Sequence, residues 1–595
     1  DIAFIKKYID YLAMYKMNTF HWHLTDDQGW RIEIKQYPKL TEIGAWRDGT
    51  MVGHYRDQQY DNVRYGGFYT QKEIKEIVRY ATDRHITIIP EIEMPGHASA
   101  ALASYPELSC GLGKTYVVRD YFDVFDEVYC PKEHTFEFLQ NVLTEVMELF
   151  PSHYIHIGGD ECPKKAWKKC AHCQHLMKWE GLPNEEALQS WFIHRIEQFV
   201  NSKGRDIIGW DEILEGGLAP NATVMSWRGE KGGIEAARQR HKVIMTPGKK
   251  CYLDYYQESP EFAPLAIGGF LPLDTVYNYN PLPAELTPEE QAYIIGVQAN
   301  IWGEYIQTPE YFEYMAFPRL LAMSEVQWTQ PEHKDFESFA RRLDKEFERL
   351  DYCGVNACRN FYEVNQAGAW NKSQQTYEVT LNTFCPDADI YYAVNDSTVN
   401  TSSSLYETPI PLDEDATIYS AVYRSGKPLG KVTRKSFAVN KATGCDYTCN
   451  PEAGWEHLNK GFGLTDGRRG YARDMRRWIS FYQDTVQIVV ELKKPQKVKE
   501  VAFSSLWRPV NEIWPARAMS VSVSMDGQTF IPVGTKRLTY DFSLTEGTRF
   551  PASLSFAETE ATFVRLELLS GGLCPKGYFH EGLQSELAID EIEIY

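Results

Sequence analysis

From its first residue to about residue 350, the chain alternates short apolar runs with amphipathic helical patterns. Strand and helix in alternation leave room for little except a parallel sheet joined by right-handed crossovers. The expected strands are Thr19 to Leu24, Ile86 to Glu91, Tyr154 to Ile157, Asp206 to Gly209, Thr223 to Ser226, Val243 to Thr246 and Gly296 to Ile301. Helices are expected between them, among others over Gln71 to Arg84, Thr135 to Phe150 and Glu185 to Lys203. A closed barrel of this type takes eight strands, and seven are found. The chain opens at Asp1 on a helical pattern (Ile2, Ile5, Tyr8, Ile9, Leu12), with neither an initiator Met nor a signal peptide. The expectation is a processed or truncated chain whose first barrel strand lay upstream.

After about Asn356 the texture changes to alternating strands. Tyr377 to Leu381, Asp389 to Val394, Ala416 to Tyr423 and Lys431 to Val439 fit a small antiparallel sandwich. Lys441 to Gly444 reads as a linker. A second all-β block follows, with strands expected over Thr485 to Leu492, Val498 to Ser504, Met519 to Ser524 and Thr562 to Leu569. The expected organisation is therefore a TIM-type α/β barrel over residues 1–355, an immunoglobulin-like β-sandwich over 356–440 and a further all-β domain over 441–595. A length of 595 residues accommodates that many cores.

A net charge of -20 speaks against nucleic acid or an anionic membrane surface as partner, and no apolar window is long enough for a membrane span. Cys170-Ala171-His172-Cys173, with His175 behind it, has the spacing of half a zinc site, but no second Cys-x-x-Cys pair accompanies it. A disulfide or plain surface thiols are the alternatives there, and Cys110 with Cys130, or Cys445 with Cys449, could also be bridged.

The stretch Tyr154-Ile155-His156-Ile157-Gly158-Gly159-Asp160-Glu161 carries the chemistry. An apolar parallel strand runs into two glycines and two adjacent carboxylates at the barrel end where such folds keep their active sites. Neighbouring side chains on a strand point to opposite faces, so this pair is not expected to face each other across a substrate. Other strand ends gather polar and aromatic groups too: His21 to Trp30, Glu91 to His97, Trp210-Asp211-Glu212, Trp227-Arg228, Tyr252-Leu253-Asp254 and Trp302-Gly303-Glu304. Tryptophans and tyrosines beside carboxylates suit a neutral, hydroxyl-rich ring. Two rivals remain. A metal-dependent barrel hydrolase would need His21, His23, His97 and His156 to converge on one point. A non-catalytic carbohydrate-binding protein would leave the paired acids unexplained.

His21-Trp22-His23-Leu24-Thr25-Asp26-Asp27-Gln28-Gly29-Trp30-Arg31, Pro90-Glu91-Ile92-Glu93-Met94-Pro95-Gly96-His97 and His156 to Glu161 together resemble glycoside hydrolase family 20, the β-N-acetylhexosaminidases. The resemblance covers residues 1 to about 350. It implies an exo-acting, retaining enzyme that removes terminal β-linked N-acetylglucosamine or N-acetylgalactosamine by substrate-assisted catalysis, an exception to the two-carboxylate rule. Glu161 is implied as general acid and base, and Asp160 as the group that orients the 2-acetamido nucleophile. Tyr252 would hold the acetamido oxygen; Trp210, Trp227 and Trp302 would box the methyl group and sugar face. Asp254 and Glu304 would bind hydroxyls, and His97 with Asp26 would support the acid, Asp27 being the less favoured holder of that place. The family's first strand carries a sugar-binding arginine, and no such strand precedes Asp1, so a chain beginning there is expected to fold poorly and bind sugar weakly. No cofactor or metal is implied for catalysis. Residues 441–595, with Gly463 to Gly467 and Ala588 to Ile592, look like a discoidin or galactose-binding module, which implies a jelly-roll sandwich there. Such modules often bind carbohydrate and hold a structural calcium, with Trp478, Phe481, Trp507 and Trp514 as stacking candidates or core. The implied location is secreted or periplasmic.

Overall fold

Asp1 accepts the backbone N–H of Phe4 at 2.8 Å and so caps the first helix, α1 (Ile2–Met14), whose Ile5, Ile9, Tyr11 and Leu12 are buried. Thr70 and Glu73 form a reciprocal capping box at the start of α2 (Gln71–Thr82). In this computed structural model, residues 1–54, 59–111, 115–451, 463–472, 474–542, 547–576 and 581–595 are described. The chain divides into two compact units: residues 1–258, 265–336 and 347–358 in one, and 259–264, 337–346 and 359–595 in the other.

The first unit is built on one parallel sheet of seven strands in sequential order: β1 (Thr19–His23), β2 (Thr87–Glu91), β3 (Tyr154–His156), β4 (Asp206–Trp210), β5 (Thr223–Ser226), β6 (Val243–Met245) and β7 (Ile294–Val297). Helices α3 (Glu133–Leu149), α4 (Ala171–Glu180) and α5 (Glu185–Ser202) lie in the crossovers. Every residue of β5 is buried, as a strand covered on both faces should be. The sheet is open between β1 and β7. A cavity of about 950 Å³ follows that seam and touches the strand ends at His23, Trp210 and Trp302, while Asp160 and Glu161 are not in its lining. The last strand differs from expectation. It starts at Ile294 and ends at Val297, because its register on β6 shifts between Val243 and Ile244, and residue 300 instead makes a lone bridge to Tyr252.

Beyond the helical residues 337–346, the second unit is built on β-sheets. Asn365–Asn371, Thr376–Asn382 and Ile410–Leu412 form one antiparallel sheet, and five strands around Ala416–Arg424 form another. The third sheet has eight strands. Within it the two strands expected over 485–504 are one, Thr485–Trp507, paired with an equally long Thr548–Leu569. A register shift between Glu491 and Gln496 absorbs the polar run that reads as a turn. The expected linker at 441–444 is a packed turn: Ala442 is fully buried, and Lys441 N–H donates to the Ile594 carbonyl at 3.0 Å. Glu591 accepts the N–H groups of Asp466 and Gly467, and Asp590 accepts those of Gly470 and Ser504, so both carboxylates of the C-terminal fragment latch backbone. Trp478, Phe481 and Trp507 are core residues. All twelve cysteines are free thiols, so neither Cys110 with Cys130 nor Cys445 with Cys449 is bridged.

Candidate active site

Strand β3 ends at His156, and the chain then passes through Gly158 (φ 67°) and Gly159 (φ 97°) before reaching Asp160 and Glu161. Both glycines are obligatory by space as well as by conformation. A Cβ on Gly158 would lie 1.7 Å from Glu93 Oε2, and one on Gly159 would lie 2.6 Å from Ile213 Cγ2. Glu161 (φ 42°) and His97 (φ 45°) also occupy the left-handed region, which costs a residue with a side chain free energy and clusters at functional sites.

These two strained residues meet. His97 Nε2 lies 3.6 Å from Glu161 Oε2 and 3.7 Å from Asp160 Oδ2. Its Nδ1 faces Asp27 Oδ2 at 3.0 Å and Asp26 Oδ1 at 3.2 Å. Asp27 is the nearer and more deeply buried of the two, and its other oxygen accepts the Ser99 N–H at 2.8 Å. Burial alone would lower the His97 pKa; hydrogen bonds to Asp26, Asp27 and Glu161 outweigh it and hold the ring well above its ordinary value. His97 is an imidazolium set between the outer carboxylates and the Asp160–Glu161 pair. Asp160 is raised well above the carboxylate range, by burial first and then by Glu91, Glu212 and Glu161 against the opposing His97. Its Oδ1 is buried without a hydrogen-bond partner, an arrangement a protein tolerates where a ligand completes it.

Trp227 and Tyr252 stack at 6.2 Å, and Trp210 and Trp302 lie 6.0 Å apart. The Trp227 indole is fixed by Glu212 at 3.0 Å and that of Trp210 by Glu91 at 2.8 Å. Asp254, next along from Tyr252, is buried, with Oδ1 unpartnered. Glu304 keeps an exposed side chain.

The sequence reading missed the layer beneath. Fully buried Glu91 faces His21 Nε2 at 3.0 Å and His156 Nδ1 at 2.7 Å, while His23 Nε2 faces Glu93 Oε1 at 3.2 Å. Burial lowers His156 to about 4, so its ring is neutral. The alternation Glu91-x-Glu93 opposite His21-x-His23 was the available signal, since β1 and β2 pair His21 with Ile89 and His23 with Glu91. The four histidines do not converge on one point: His21 and His156 share Glu91, with their rings 4.6 Å apart, whereas His23 faces Glu93 and His97 faces Asp26 and Asp27, against what one metal centre shared by all four requires.

The family model for the catalytic domain of glycosyl hydrolase family 20 matches residues 1–331. The chain belongs to this family. The chitobiase/β-hexosaminidase C-terminal domain model matches residues 365–434. A β-hexosaminidase of Porphyromonas gingivalis is 54% identical over 354 residues, covering 59% of this chain and 44% of the relative. One of Vibrio furnissii is 42% identical over 328 residues, covering 54% and 53%. The chain thus spans about half the length of these curated relatives. The solved structure of the family 20 exo-β-N-acetylglucosaminidase of Vibrio harveyi with N-acetylglucosamine superposes with a TM-score of 0.55 at 40% identity, over 60% of this chain and 57% of that one. A β-N-acetylhexosaminidase of Bacteroides fragilis gives 0.52 at 35% identity, over 60% and 69%. No helix among the described residues is long and apolar enough to cross a membrane.

The buried carboxyls of this family 20 site set a pH dependence of stability. Burial raises Asp254 and Glu212 to about 7, above their unfolded values. A raised carboxyl contributes stability that is complete below the unfolded pKa, near 4, and is lost as pH rises through the folded value. The melting midpoint of the wild type should therefore fall between about pH 4.5 and about pH 7.5, and Asp254→Asn should shrink that fall. Calorimetry of the two proteins at both pH values checks it; an equal fall in both would remove Asp254 from the cause.

Proposed function

We propose that the chain is an exo-acting, retaining β-N-acetylhexosaminidase that uses the 2-acetamido group of its substrate as nucleophile. The observation that carries this reading is the placement of Asp160 and Glu161: adjacent in sequence and turned to the same His97 ring, not set on opposite sides of a substrate as the two carboxylates of an ordinary retaining enzyme are. The relatives named β-hexosaminidase and the Vibrio harveyi enzyme that holds N-acetylglucosamine support the same substrate class.

In this reading the acetamido carbonyl oxygen attacks the anomeric carbon while Glu161 delivers its proton to the leaving oxygen. The C–O bond to the leaving group breaks, and an oxazolinium forms. Asp160 Oδ1, unpartnered in the free protein, accepts the acetamido N–H and balances the positive charge growing on that nitrogen. Ionised Glu161 then takes a proton from water, whose oxygen reopens the ring with net retention. Tyr252 holds the acetamido oxygen, Trp210, Trp227 and Trp302 enclose the methyl group, and Asp254 with Glu304 accepts hydroxyls at the far edge. The His97 relay, reached through Asp27 as well as Asp26, keeps Glu161 placed. A glycosidase of this kind meets its glycans in the periplasm or outside the cell, which fractionation of the native host tests.

The deciding assay compares 4-nitrophenyl N-acetyl-β-glucosaminide and N-acetyl-β-galactosaminide with the plain β-glucoside. Turnover confined to the acetamido sugars is expected. Equal turnover of the glucoside, which lacks the nucleophile, would exclude substrate assistance, and binding of the sugars without turnover would make this a carbohydrate-binding protein.

A further inference from the structure

Four cysteines from three separate segments come together beside the strand end that carries Asp160. Cys110, Cys130, Cys170 and Cys173 place their sulfur atoms all within 4.8 Å of one another. Cys110 and Cys173 are 3.8 Å apart, Cys130 and Cys173 3.6 Å, and Cys130 and Cys170 3.9 Å. A tetrahedral ion with metal–sulfur bonds of about 2.3 Å holds its ligands about 3.8 Å apart, edge by edge. No disulfide joins any pair.

We propose that these four thiolates bind one structural zinc ion. The ligand set is all sulfur and fills the four positions of a tetrahedron, which leaves none open for substrate or water; Cys130 and Cys173 are inaccessible, Cys170 nearly so, and Cys110 half-buried. His175, the candidate from spacing alone, is exposed and stays outside the cluster. Cys170 and Cys173 supply the knuckle, Cys170 as N-cap of α4 and Cys173 in its first turn, where the positive helix end favours thiolates.

The other pair is brought in by a backbone bridge between Ser109 and Tyr129 and by the Cys130 N–H bond to the Leu108 carbonyl at 2.9 Å. Side chains from the α4 side fasten it: Trp167 Nε1 donates to the Tyr129 carbonyl at 2.9 Å, and His172 Nε2 lies 3.1 Å from that of Pro131. Lys132 adds a cation near the cluster and holds the Ser109 carbonyl at 2.6 Å.

The position gives the ion a task. Between the short helical turn Pro106–Leu108 and α3 at Glu133, the described residues form no helix or named strand. A loop of that length needs an anchor, and a metal clip that closes long loops is an economical one. This loop follows His97, and α4 follows Glu161, so one ion ties together the two connections that carry the meeting pair of strained residues. Buried free cysteines are often no more than small apolar side chains. Four of them from three segments, spaced as the edges of a tetrahedron, are better explained by a shared cation. The assignment stands whether or not the proposed reaction does.

The full chain, purified under reducing conditions without added metal or chelator, should carry zinc at one ion per chain by plasma mass spectrometry. Mercurial titration of the thiols should release it to a chromogenic chelator. Cys130→Ser and Cys173→Ser should lose the zinc, whereas Cys353→Ser should keep it. Should either cluster variant fail to fold, the wild type stripped and refilled with cobalt(II) still decides, through the visible bands of tetrahedral thiolate cobalt. Absence of metal from the wild type together with failure of the reduced protein to take up zinc or cobalt would overturn the proposal. So would iron in place of zinc, or peptide mapping that finds native disulfides among the four.

Discussion

Glu161→Gln is expected to lower kcat on aryl N-acetyl-β-glucosaminides by roughly 10²- to 10⁴-fold while the protein stays folded. The substitution keeps the shape of a side chain that is partly exposed to solvent and removes only its ability to give and take a proton. The loss should grow with the basicity of the leaving group, because a nitrophenolate departs with little protonation and a sugar alkoxide does not. His97 keeps Asp26 and Asp27 in the variant, so its ring should stay in place. Steady-state rates on a leaving-group series, with a melting curve as the folding control, test this. An unchanged rate across the series would take Glu161 out of the proton transfers, and a uniform loss would assign it to binding.

How far this could be read in advance differs from part to part. The seven parallel strands were legible because a strand covered on both faces must be a short continuous apolar run, and the connecting helices announce themselves by caps such as Thr70 and Glu73. The carboxylates after Gly158 and Gly159 were legible for a related reason: two glycines at a strand end mark a turn that side chains would block, here with Glu93 and Ile213 as the obstacles. What stayed hidden is set by tertiary contact. Lys493 to Lys497 read as a break between two strands, yet pairing with Thr548–Leu569 carries one strand through it. The Cys110 and Cys130 contributions to the thiol cluster lie 63 and 43 residues from Cys173, and no local spacing encodes such a meeting. The Glu91 network was hidden more subtly. Its members were all in view as a line of polar residues near strand ends, but which of them point down into the sheet interior depends on register, and a single step exchanges the two sets.

Asp160→Ala should cost roughly 10²- to 10³-fold in kcat, the loss typical of removing one preorganised group aimed at developing charge. Asp160→Asn separates the two things the carboxylate does. An amide oxygen can still accept the acetamido N–H, so substrate should bind with a KM near that of the wild type. It brings no charge, and the positive charge on the nitrogen arises only on the way to the oxazolinium, so most of the kcat loss should remain. The free protein shows why the carboxylate suits this position. Burial and the neighbouring acids hold Asp160 above its ordinary range, and Oδ1 waits without a partner. An incoming N–H that turns cationic relieves both conditions at the moment the barrier is crossed. A measured kcat for Asp160→Asn equal to the wild type would mean that hydrogen bonding alone suffices and that charge balance plays no part. A KM rise with kcat preserved would instead place Asp160 in ground-state binding, and the nucleophile would need another stabiliser among Glu91, Glu93 and Glu212.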